Sequence, residues 1–433
     1  MIAPARSAAL DALSQIEHHD LDMGAAVAAA RETLTDARDQ GLLLELVSGT
    51  LRMRAAIDYQ LALRVKRPLP KLDAAVLDIL RLSAFQLIYL SRLPASAVIN
   101  DAVDLTRRAG KSSASGLANA VLRALSRERE QLKWPGAEDP DHLSVVHSHP
   151  RWLIDRWLAR YGVENTVAWL GFNNQPAALC LAANRHLTTR EALAEELLSD
   201  GVTTQPTSRA SNGLEVIDGR ALNTRAFREG RCIVQDEASQ LIGELAAGAA
   251  RGRVLDLCAS PGGKTLAVST ARDTRIVASD VRANRVRLLA RTLARCRVPN
   301  VAIVHVAAGP LPFAEKTFDL ILIDAPCSGL GTVRRDPDIR WRRTADDLPR
   351  FARAQRDLLA STADLVKPGG VLLYSTCSSE PEENGDVVAS FLDARADFSQ
   401  RQTHQTLPFR DGLEAFFGAV LERSSERSSE RPS

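Results

Sequence analysis

Apolar residues recur at every third or fourth position through roughly the first third of the chain, and strand-like alternation is missing there. The spacing of Val98, Ala102 and Leu105 is one example. Residues that break helices interrupt the pattern at Pro68, Pro70, Pro94 and Gly110. The pattern therefore predicts a bundle of about five to seven helices over residues 1–135.

A stretch rich in proline and acidic residues, Trp134–Pro150, follows this region and is typical of a linker. Beyond it, helical periodicity over residues 151–170 and 189–200 is mixed with short apolar runs. We therefore interpret residues 136–235 as a linker and a small α+β subdomain.

From residue 236 onward, short apolar runs are separated, for the most part, by stretches with helical periodicity. The runs cover residues 253–258, 275–280, 301–306, 319–326 and 371–377. This alternation is typical of a mostly parallel sheet with helices on both faces, in which ligands bind beyond the carboxyl ends of the strands. We expect a catalytic domain over residues 236–420 and a disordered polar tail over residues 421–433.

The length, charge and cysteine content of the chain exclude several classes of protein. A chain of 433 residues is too long for one ordinary core, and a formal net charge of +2 gives no global field that would favour nucleic acid. The first residues lack a secretory pattern, and nowhere do about 18 uncharged apolar residues run together. We therefore expect a cytoplasmic protein.

The six cysteines form no C-x-x-C pair, which disfavours a disulfide framework and a zinc site.

The stretch LDLCASPGGKT, Leu255–Thr265, reads as a strand that enters a glycine-rich turn and then a helix. A P-loop would need glycine where Cys258 stands, and the three-glycine dinucleotide fingerprint is absent. Asp280 ends the next apolar run, where a carboxylate can accept hydrogen bonds from both hydroxyls of a ribose. These features favour a nucleoside ligand without a phosphate, such as S-adenosylmethionine, over a simple tight turn.

Asp324, Cys327 and Cys377 lie at or just beyond the ends of two further apolar runs. A single cysteine is more often a buried apolar residue than a reactive one, but two at strand ends beside a nucleoside turn favour a functional role. Ser379 and Glu382 have the spacing of a helix capping box, which predicts a helix N-terminus facing Cys377.

A methyl donor, a thiol and a carboxyl group together suit one reaction. The C5 carbon of cytosine is a poor nucleophile, and addition of a thiolate at C6 turns it into an enamine carbon that can attack a methyl sulfonium. A carboxyl group in a dry site can relieve the charge at N3, and a second thiol or base suits the release step.

Two longer stretches carry a family resemblance. DAPCSGLGTVRRDPDIRW and YSTCSSEPEEN resemble the proline-cysteine and threonine-cysteine motifs of the RNA cytosine C5 methyltransferases, the Sun and NOL/NSUN family, and CASPGGKT is similar to the methyl-donor motif of that family. The resemblance implies that Cys377 is the nucleophile, that Cys327 assists product release and that Asp324 serves both catalysis and donor binding. It implies further donor contacts from Cys258, Ala259, Ser260, Pro261, Gly262, Gly263, Lys264 and Asp280.

Residues 1–135 resemble the RNA-binding NusB-type helical domain. The resemblance implies an all-α NusB-like bundle followed by an α/β, Rossmann-like, S-adenosylmethionine-dependent methyltransferase. The implied partner is 16S ribosomal RNA, with cytosine 967 as the target, and we expect a monomer that needs neither a metal nor a membrane. One departure concerns Ala307 and Ala308, which stand where the family usually has an acidic residue near the adenine.

Three questions stay open from the sequence. The basic stretch Arg334–Arg343, with Trp341, suits RNA phosphates and base stacking, but its composition is equally typical of a solvated loop. A non-catalytic RNA-binding factor is the rival from another class, although it would need none of Asp280, Asp324, Cys327 and Cys377. The same chemistry on another ribosomal or transfer RNA cytosine is the second rival.

Overall fold

The structure, a computed structural model, describes residues 2–307 and 309–425. Ala308 and residues 426–433 of the expected tail lie outside the described residues. The chain forms two compact units. The first covers the chain up to Pro176 together with Val333–Ala345, and the second covers the intervening and following residues.

The first unit is helical, as the periodicity predicts. Its helices are α1 Pro4–His18, α2 Met23–Arg31, α3 Ala37–Arg52, α4 Arg54–Ala62, α5 Ala74–Tyr89, α6 Ala95–Arg108, α7 Ser115–Glu128, α8 His142–Val146 and α9 Arg151–Asn174, with 3-10 turns at Leu69–Lys71, Ser112–Ala114 and Arg129–Gln131. Helix α6 begins directly after Pro94 and ends just before Gly110, which adopts a positive φ of 75°. Both predicted breaks are therefore confirmed.

One apolar core joins the helices up to α7. Fully buried leucines and isoleucines from four of these helices, such as Leu43, Ile57, Leu80 and Leu122, belong to it. Helices α8 and α9 also belong to the first unit, so this unit continues past the expected boundary at residue 135.

The segment Val333–Ala345 belongs to the helical unit although it follows Cys327 in the sequence. Arg340 is completely buried in this unit. Its guanidinium donates to the backbone oxygens of Ser148 at 3.0 Å and Asn173 at 3.2 Å, and to the side-chain oxygen of Asn174 at 3.0 Å. Arg340 therefore serves the packing of the unit, and it is not available for RNA phosphates.

Trp341 is engaged in the same way. Its indole nitrogen donates to the backbone oxygen of Leu51 at 2.6 Å, and the guanidinium of Arg54 lies 5.6 Å from its ring centre. Arg340 and Trp341 are thus held by partners far away in sequence, and the stretch is not the solvated loop that its composition allowed.

The second unit begins with a small antiparallel sheet. It contains β1 Leu179–Ala183, α10 Arg190–Ser199, β2 Thr203–Pro206, β3 Gly213–Asp218, α11 Arg225–Arg228 and β4 Cys232–Val234, with a 3-10 turn at Ala221–Asn223. The strand order is β2-β3-β1-β4. This is a small α+β arrangement of the kind that the sequence predicts.

The large sheet follows. Its strands are β5 Arg253–Asp256, β6 Arg275–Asp280, β7 Val301–His305, β8 Phe318–Asp324, β9 Val366–Thr376, β10 Phe398–Gln405 and β11 Phe417–Arg423. The remaining helices are α12 Glu237–Ala249, α13 Gly263–Val268, α14 Ala283–Arg295, α15 Ile339–Arg342 of the first unit, α16 Asp347–Ala363, α17 Gly385–Ala394 and α18 Pro408–Asp411, with 3-10 turns at Leu330–Thr332 and Pro381–Glu383. Among all helices of the described ranges, none combines the length and apolar character needed to span a bilayer.

The strand order of the large sheet is β10-β11-β9-β8-β5-β6-β7. The five strands from β9 to β7 are parallel, and β11 runs antiparallel to both of its neighbours. The predicted Rossmann-like, mostly parallel sheet is confirmed. Residues 421–423, which the sequence assigned to a disordered tail, belong to strand β11.

Both faces of the central strands β5, β8 and β9 are buried, which explains their continuous apolar runs, whereas the edge strand β7 is largely exposed. In β8, Ile321 and Ile323 join the core on one face, whereas Leu320 and Leu322 join the core on the other. The carboxyl ends of the parallel strands consequently meet along one edge, and the polar residues that end these strands come together there.

Candidate active site

Strands β5, β6 and β8 each end in an aspartate, and these three strands are neighbours in the sheet. Asp256 and Asp280 are buried, whereas the side chain of Asp324 is 32% exposed. The sequence predicted that Asp280 and Asp324 would lie at this edge, and the structure places both there.

The predicted glycine-rich turn connects β5 to α13. Gly262 has a φ of 112°, a conformation that side chains disfavour, and a Cβ atom there would lie 3.1 Å from Leu289 and Leu293. The backbone of the turn therefore packs directly against α14. The turn also reaches β6, because the nitrogen of Ala259 donates to the oxygen of Ser279 at 2.9 Å.

Lys264, on the first turn of α13, forms an ion pair with Asp324. Its Nζ atom lies 2.8 Å from Oδ2 of Asp324 and 3.1 Å from Oγ of Ser239. The other carboxylate oxygen of Asp324 accepts from Oγ of Ser375 at 3.0 Å. The reaction inferred from the sequence favours a carboxyl group in a dry site, whereas the side chain of Asp324 is partly exposed. Lys264 neutralises Asp324, and Asp324 faces partly outward.

Asp256 is a site residue that sequence reasoning missed. Its Oδ2 atom accepts from Oγ1 of Thr265 at 2.6 Å, while its buried Oδ1 atom has no hydrogen-bond partner in the described part of the chain. Burial raises the pKa of Asp256 to about 7. The sequence signal that could have identified Asp256 as a site residue is its position in LDLC, directly before the glycine-rich turn.

A cavity of about 160 Å³ lies beside these groups. Its lining includes Asp256, Cys258, Lys264 and Asp324, together with Ser260, Pro261 and Gly263. Burial, followed by the charge of Asp324, raises the pKa of Cys258, so this thiol keeps its proton.

Asp280 does not line this cavity. One of its oxygens accepts from the backbone nitrogen of Arg282 at 3.1 Å, and the other lies 3.7 Å from Nε of Arg285. Arg285 also donates to the backbone oxygen of Ser260 at 3.3 Å. The Arg285 side chain therefore connects Asp280 to the glycine-rich turn.

Cys327 and Cys377 follow the neighbouring strands β8 and β9, and their sulfur atoms lie 3.2 Å apart. The hydrogen bond with Cys377, together with burial, raises the pKa of Cys327 well above its ordinary value. Cys327 is therefore a protonated thiol that can donate to the sulfur of Cys377. The two cysteines that the sequence selected are brought into direct contact.

The predicted capping box beside Cys377 is wrong. Residues Pro381–Glu383 form a single 3-10 turn, and α17 begins only at Gly385. Oγ of Ser379 donates to Glu380 at 2.8 Å. The side chain of Asn384 is bound to Oγ1 of Thr376 and to the oxygen of Ser378, which holds the chain away from a helical path at this point.

Relatives and solved structures resemble this chain over most of its length. A probable ribosomal RNA small subunit methyltransferase B of Bacillus subtilis is 32% identical and covers 95% of this chain and 96% of its own. A ribosomal RNA small subunit methyltransferase B of Pseudomonas putida is 36% identical over 89% of this chain and 91% of its own. The crystal structure of PH0851 superimposes with a TM-score of 0.84 at 25% identity, covering 98% of this chain and 99% of that one.

A Rossmann-like sheet with this strand order and this strand-end site defines the class of S-adenosylmethionine-dependent methyltransferases. Residues 246–421 match the family model of the 16S rRNA methyltransferases RsmB/F, residues 3–127 match the NusB family, and residues 149–222 match the RsmF/B-like ferredoxin-like domain. The chain belongs to the RsmB/F family of 16S ribosomal RNA methyltransferases.

Proposed function

We propose that this protein methylates C5 of a cytosine in 16S ribosomal RNA, with cytosine 967 as the target, through a covalent bond between Cys377 and C6 of the base. The contact of 3.2 Å between the sulfurs of Cys327 and Cys377, at the strand ends beside Asp324, carries this proposal. Methyl transfer to a nitrogen or a ribose oxygen needs no thiol, whereas C5 transfer needs one thiol to add and benefits from a second group at release.

The residues around the cavity suit the methyl donor. S-adenosylmethionine supplies an electrophilic methyl group on a positively charged sulfonium. The buried Oδ1 atom of Asp256, which lacks a partner within the described residues, offers a hydrogen-bond acceptor to such a ligand. Asp280 is assigned to the ribose hydroxyls. The donor contacts are completed by the backbone of the glycine-rich turn, Cys258, Ala259, Ser260, Pro261, Gly262, Gly263 and Lys264, and by Asp324.

Side chains of the protein carry out the addition to the base. The sulfur of Cys377 bonds to C6, and the electrons of the C5–C6 double bond make C5 nucleophilic. Asp324, fixed by Lys264 and Ser375, is assigned to the N3 side of the base, where the Lys264–Asp324 pair supplies a proton or hydrogen bond to N3 as negative charge develops there and takes it back at release.

Release reverses the addition. The C5 proton leaves, the C5–C6 double bond forms again, and the bond between Cys377 and C6 breaks. Cys327 passes its proton to the departing sulfur of Cys377 and regains one from C5, so protons and electrons balance. The distance between the two sulfurs permits this transfer without a rearrangement of the strands.

Bisulfite sequencing of ribosomal and transfer RNA from a deletion strain tests the proposal. We expect one protected cytosine of 16S ribosomal RNA, at position 967, to become convertible and to regain protection with the wild-type gene but not with Cys377→Ala. Loss of protection at another cytosine would reassign the target. Unchanged protection at every cytosine would refute C5 methylation and favour the RNA-binding factor.

A further inference from the structure

Glu383 is a fully buried carboxylate that the reaction described above does not use. Its Oε1 atom accepts from the backbone nitrogen of Ser328 at 2.8 Å and from Nε2 of Gln355 at 3.0 Å. Its Oε2 atom lies 2.5 Å from Oγ of Ser328 and 2.5 Å from Oγ of Ser378. All four partners can donate, and an ionised carboxylate is the side chain that only accepts.

These contacts join the two cysteine loops. Ser328 directly follows Cys327, and Ser378 directly follows Cys377. The two serine oxygens lie 3.2 Å apart, the same separation as the two sulfurs. One carboxylate therefore holds the residue after each thiol, and it fixes the loops at a common separation.

Glu383 is itself held in place. The hydroxyl of Tyr374 donates to the backbone oxygen of Glu383 at 2.6 Å. Gln355, on α16, donates to the oxygen of Pro326 at 3.0 Å as well as to the Glu383 carboxylate. Contacts from β9 to its backbone, and from α16 and the loop after β8 to its side chain, thus fix the position of Glu383.

The carboxylate of Glu383 accepts two hydrogen bonds from Ser328, which follows Cys327, and one from Ser378, which follows Cys377. It contributes, after the hydrogen bond with Cys377 and burial, to the raised pKa of Cys327. Tyr374 keeps its proton because burial raises its pKa well above the ordinary value. Glu380 is also buried in the loop after Cys377, and Asp324, paired with Lys264, accepts from Ser375, two residues before Cys377.

We propose that Glu383 is a positioning residue that aligns the two cysteine loops and confines the reactive thiolate to Cys377 by placing a negative charge beside Cys327. The inference rests on the proposed function for its catalytic meaning. Its physical content is a difference in reactivity between two thiols, which can be measured without RNA or methyl donor.

The test is alkylation by iodoacetamide of the full-length protein between pH 6 and 10, with mass spectrometry of the separate peptides that carry Cys327 and Cys377. In the wild type, Cys377 should react at lower pH than Cys327. Glu383→Gln keeps the shape of the side chain and removes its charge, so alkylation of Cys327 at pH 8 should rise by about tenfold, the effect of one pKa unit. Glu382→Gln, on the same turn, is the matched control and should leave both profiles unchanged.

If Glu383 had a purely structural role, its loss would loosen both loops. The alkylation rates of Cys327 and Cys377 would then rise by the same factor at every pH, and the midpoints of their pH profiles would not change. That result, or the same response in Glu382→Gln, would overturn the inference. Thermal unfolding shows whether Glu383→Gln folds. If it does not, the order in which the two wild-type thiols are alkylated is the test, since alkylation of Cys327 at lower pH than Cys377 contradicts the proposal. If the alkylation order is as expected but the protein does not methylate RNA, the proposed function is refuted and the inference about Glu383 is not.

Discussion

The sulfur of Cys377 lies 3.2 Å from the sulfur of Cys327 in a contact formed by two neighbouring strands. Because one thiol is proposed to form the bond to RNA and the other to assist its breakage, their variants should fail differently. Cys377→Ala should reduce methylation to background and leave no covalent complex. Cys327→Ala should transfer the methyl group and accumulate enzyme joined to RNA, visible as a retarded band on a denaturing gel.

Cys180→Ala, a buried cysteine of the small sheet, is the control for loss of a thiol and should retain activity. An adduct in Cys377→Ala but not in Cys327→Ala would exchange the two roles. Activity without any adduct in both variants would refute covalent catalysis.

Donor binding should depend on the carboxylate that ends β6. Asp280→Ala should weaken S-adenosylmethionine binding by roughly 1.5–3 kcal/mol, because the ribose would lose a charged hydrogen-bond acceptor. Isothermal titration calorimetry measures this, with Asp218→Ala at the exposed end of β3 as the control. Equal affinity of the Asp280 variant and the wild type would remove Asp280 from the site. In the same titration, Ala308→Asp should tighten binding if the loop is aligned correctly with the family.

Stability should depend on pH through Asp256. The folded protein holds the proton of this group up to about pH 7, whereas the unfolded chain releases it near the ordinary value of 3.8. The free energy of unfolding contributed by this group is therefore full below about pH 4 and is lost as pH rises to 7, by roughly 2–4 kcal/mol. Asp256→Asn keeps the neutral form and should lack this decline. Equal declines for the wild type and Asp256→Asn in urea unfolding between pH 4 and 7 would contradict the assignment.

The buried guanidinium of Arg340 should contribute strongly to the stability of the complete first unit. Arg340→Ala removes the donor to the oxygens of Ser148 and Asn173 and leaves a cavity, so it should cost about 3 kcal/mol or more. Thermal unfolding should shift by several degrees. Arg107→Ala removes an exposed ion pair with Asp104 and should cost under about 1 kcal/mol. Equal shifts for the two variants would show that Arg340 contributes no more than a surface ion pair.

RNA affinity should reside partly in the NusB-like bundle. The apolar core of that bundle is complete within residues 2–132, so a fragment of residues 1–135 should fold and bind RNA with an affinity that falls steeply with salt. Filter binding between 50 and 200 mM salt measures the slope. Salt-independent binding, or deletion of the bundle without a rise in the Michaelis constant for RNA, would assign it a structural role only.

The sequence predicted the elements whose burial follows a simple period. The helices of the bundle and the parallel strands bury one stripe or both faces, and their patterns were sufficient to place Asp280, Asp324 and Cys377 at strand ends. Strand β10 escaped prediction because most of its residues are exposed and polar, and it is an edge strand that pairs with β11.

The parts of the site that were missed depend on contacts between distant segments. In the sequence, nothing distinguishes Glu383 from the other glutamates of EPEEN. Its role depends on its contact with Ser328, which lies 55 positions away. The pairing of Lys264 with Asp324 spans 60 positions, and the burial of Asp256 follows from the whole sheet. Residue spacing indicates which side chains reach an edge, whereas it does not determine their partners there.

The segment Val333–Ala345 also affects the order of folding during synthesis. The core of the NusB-like bundle needs only residues that leave the ribosome early, and it can form while the remainder is still being made. Arg340 emerges 192 positions after Ser148 and 167 after Asn173. Until then the oxygens that accept its hydrogen bonds must be satisfied by water, so the first unit reaches its final structure only after much of the sheet of the second unit has been translated.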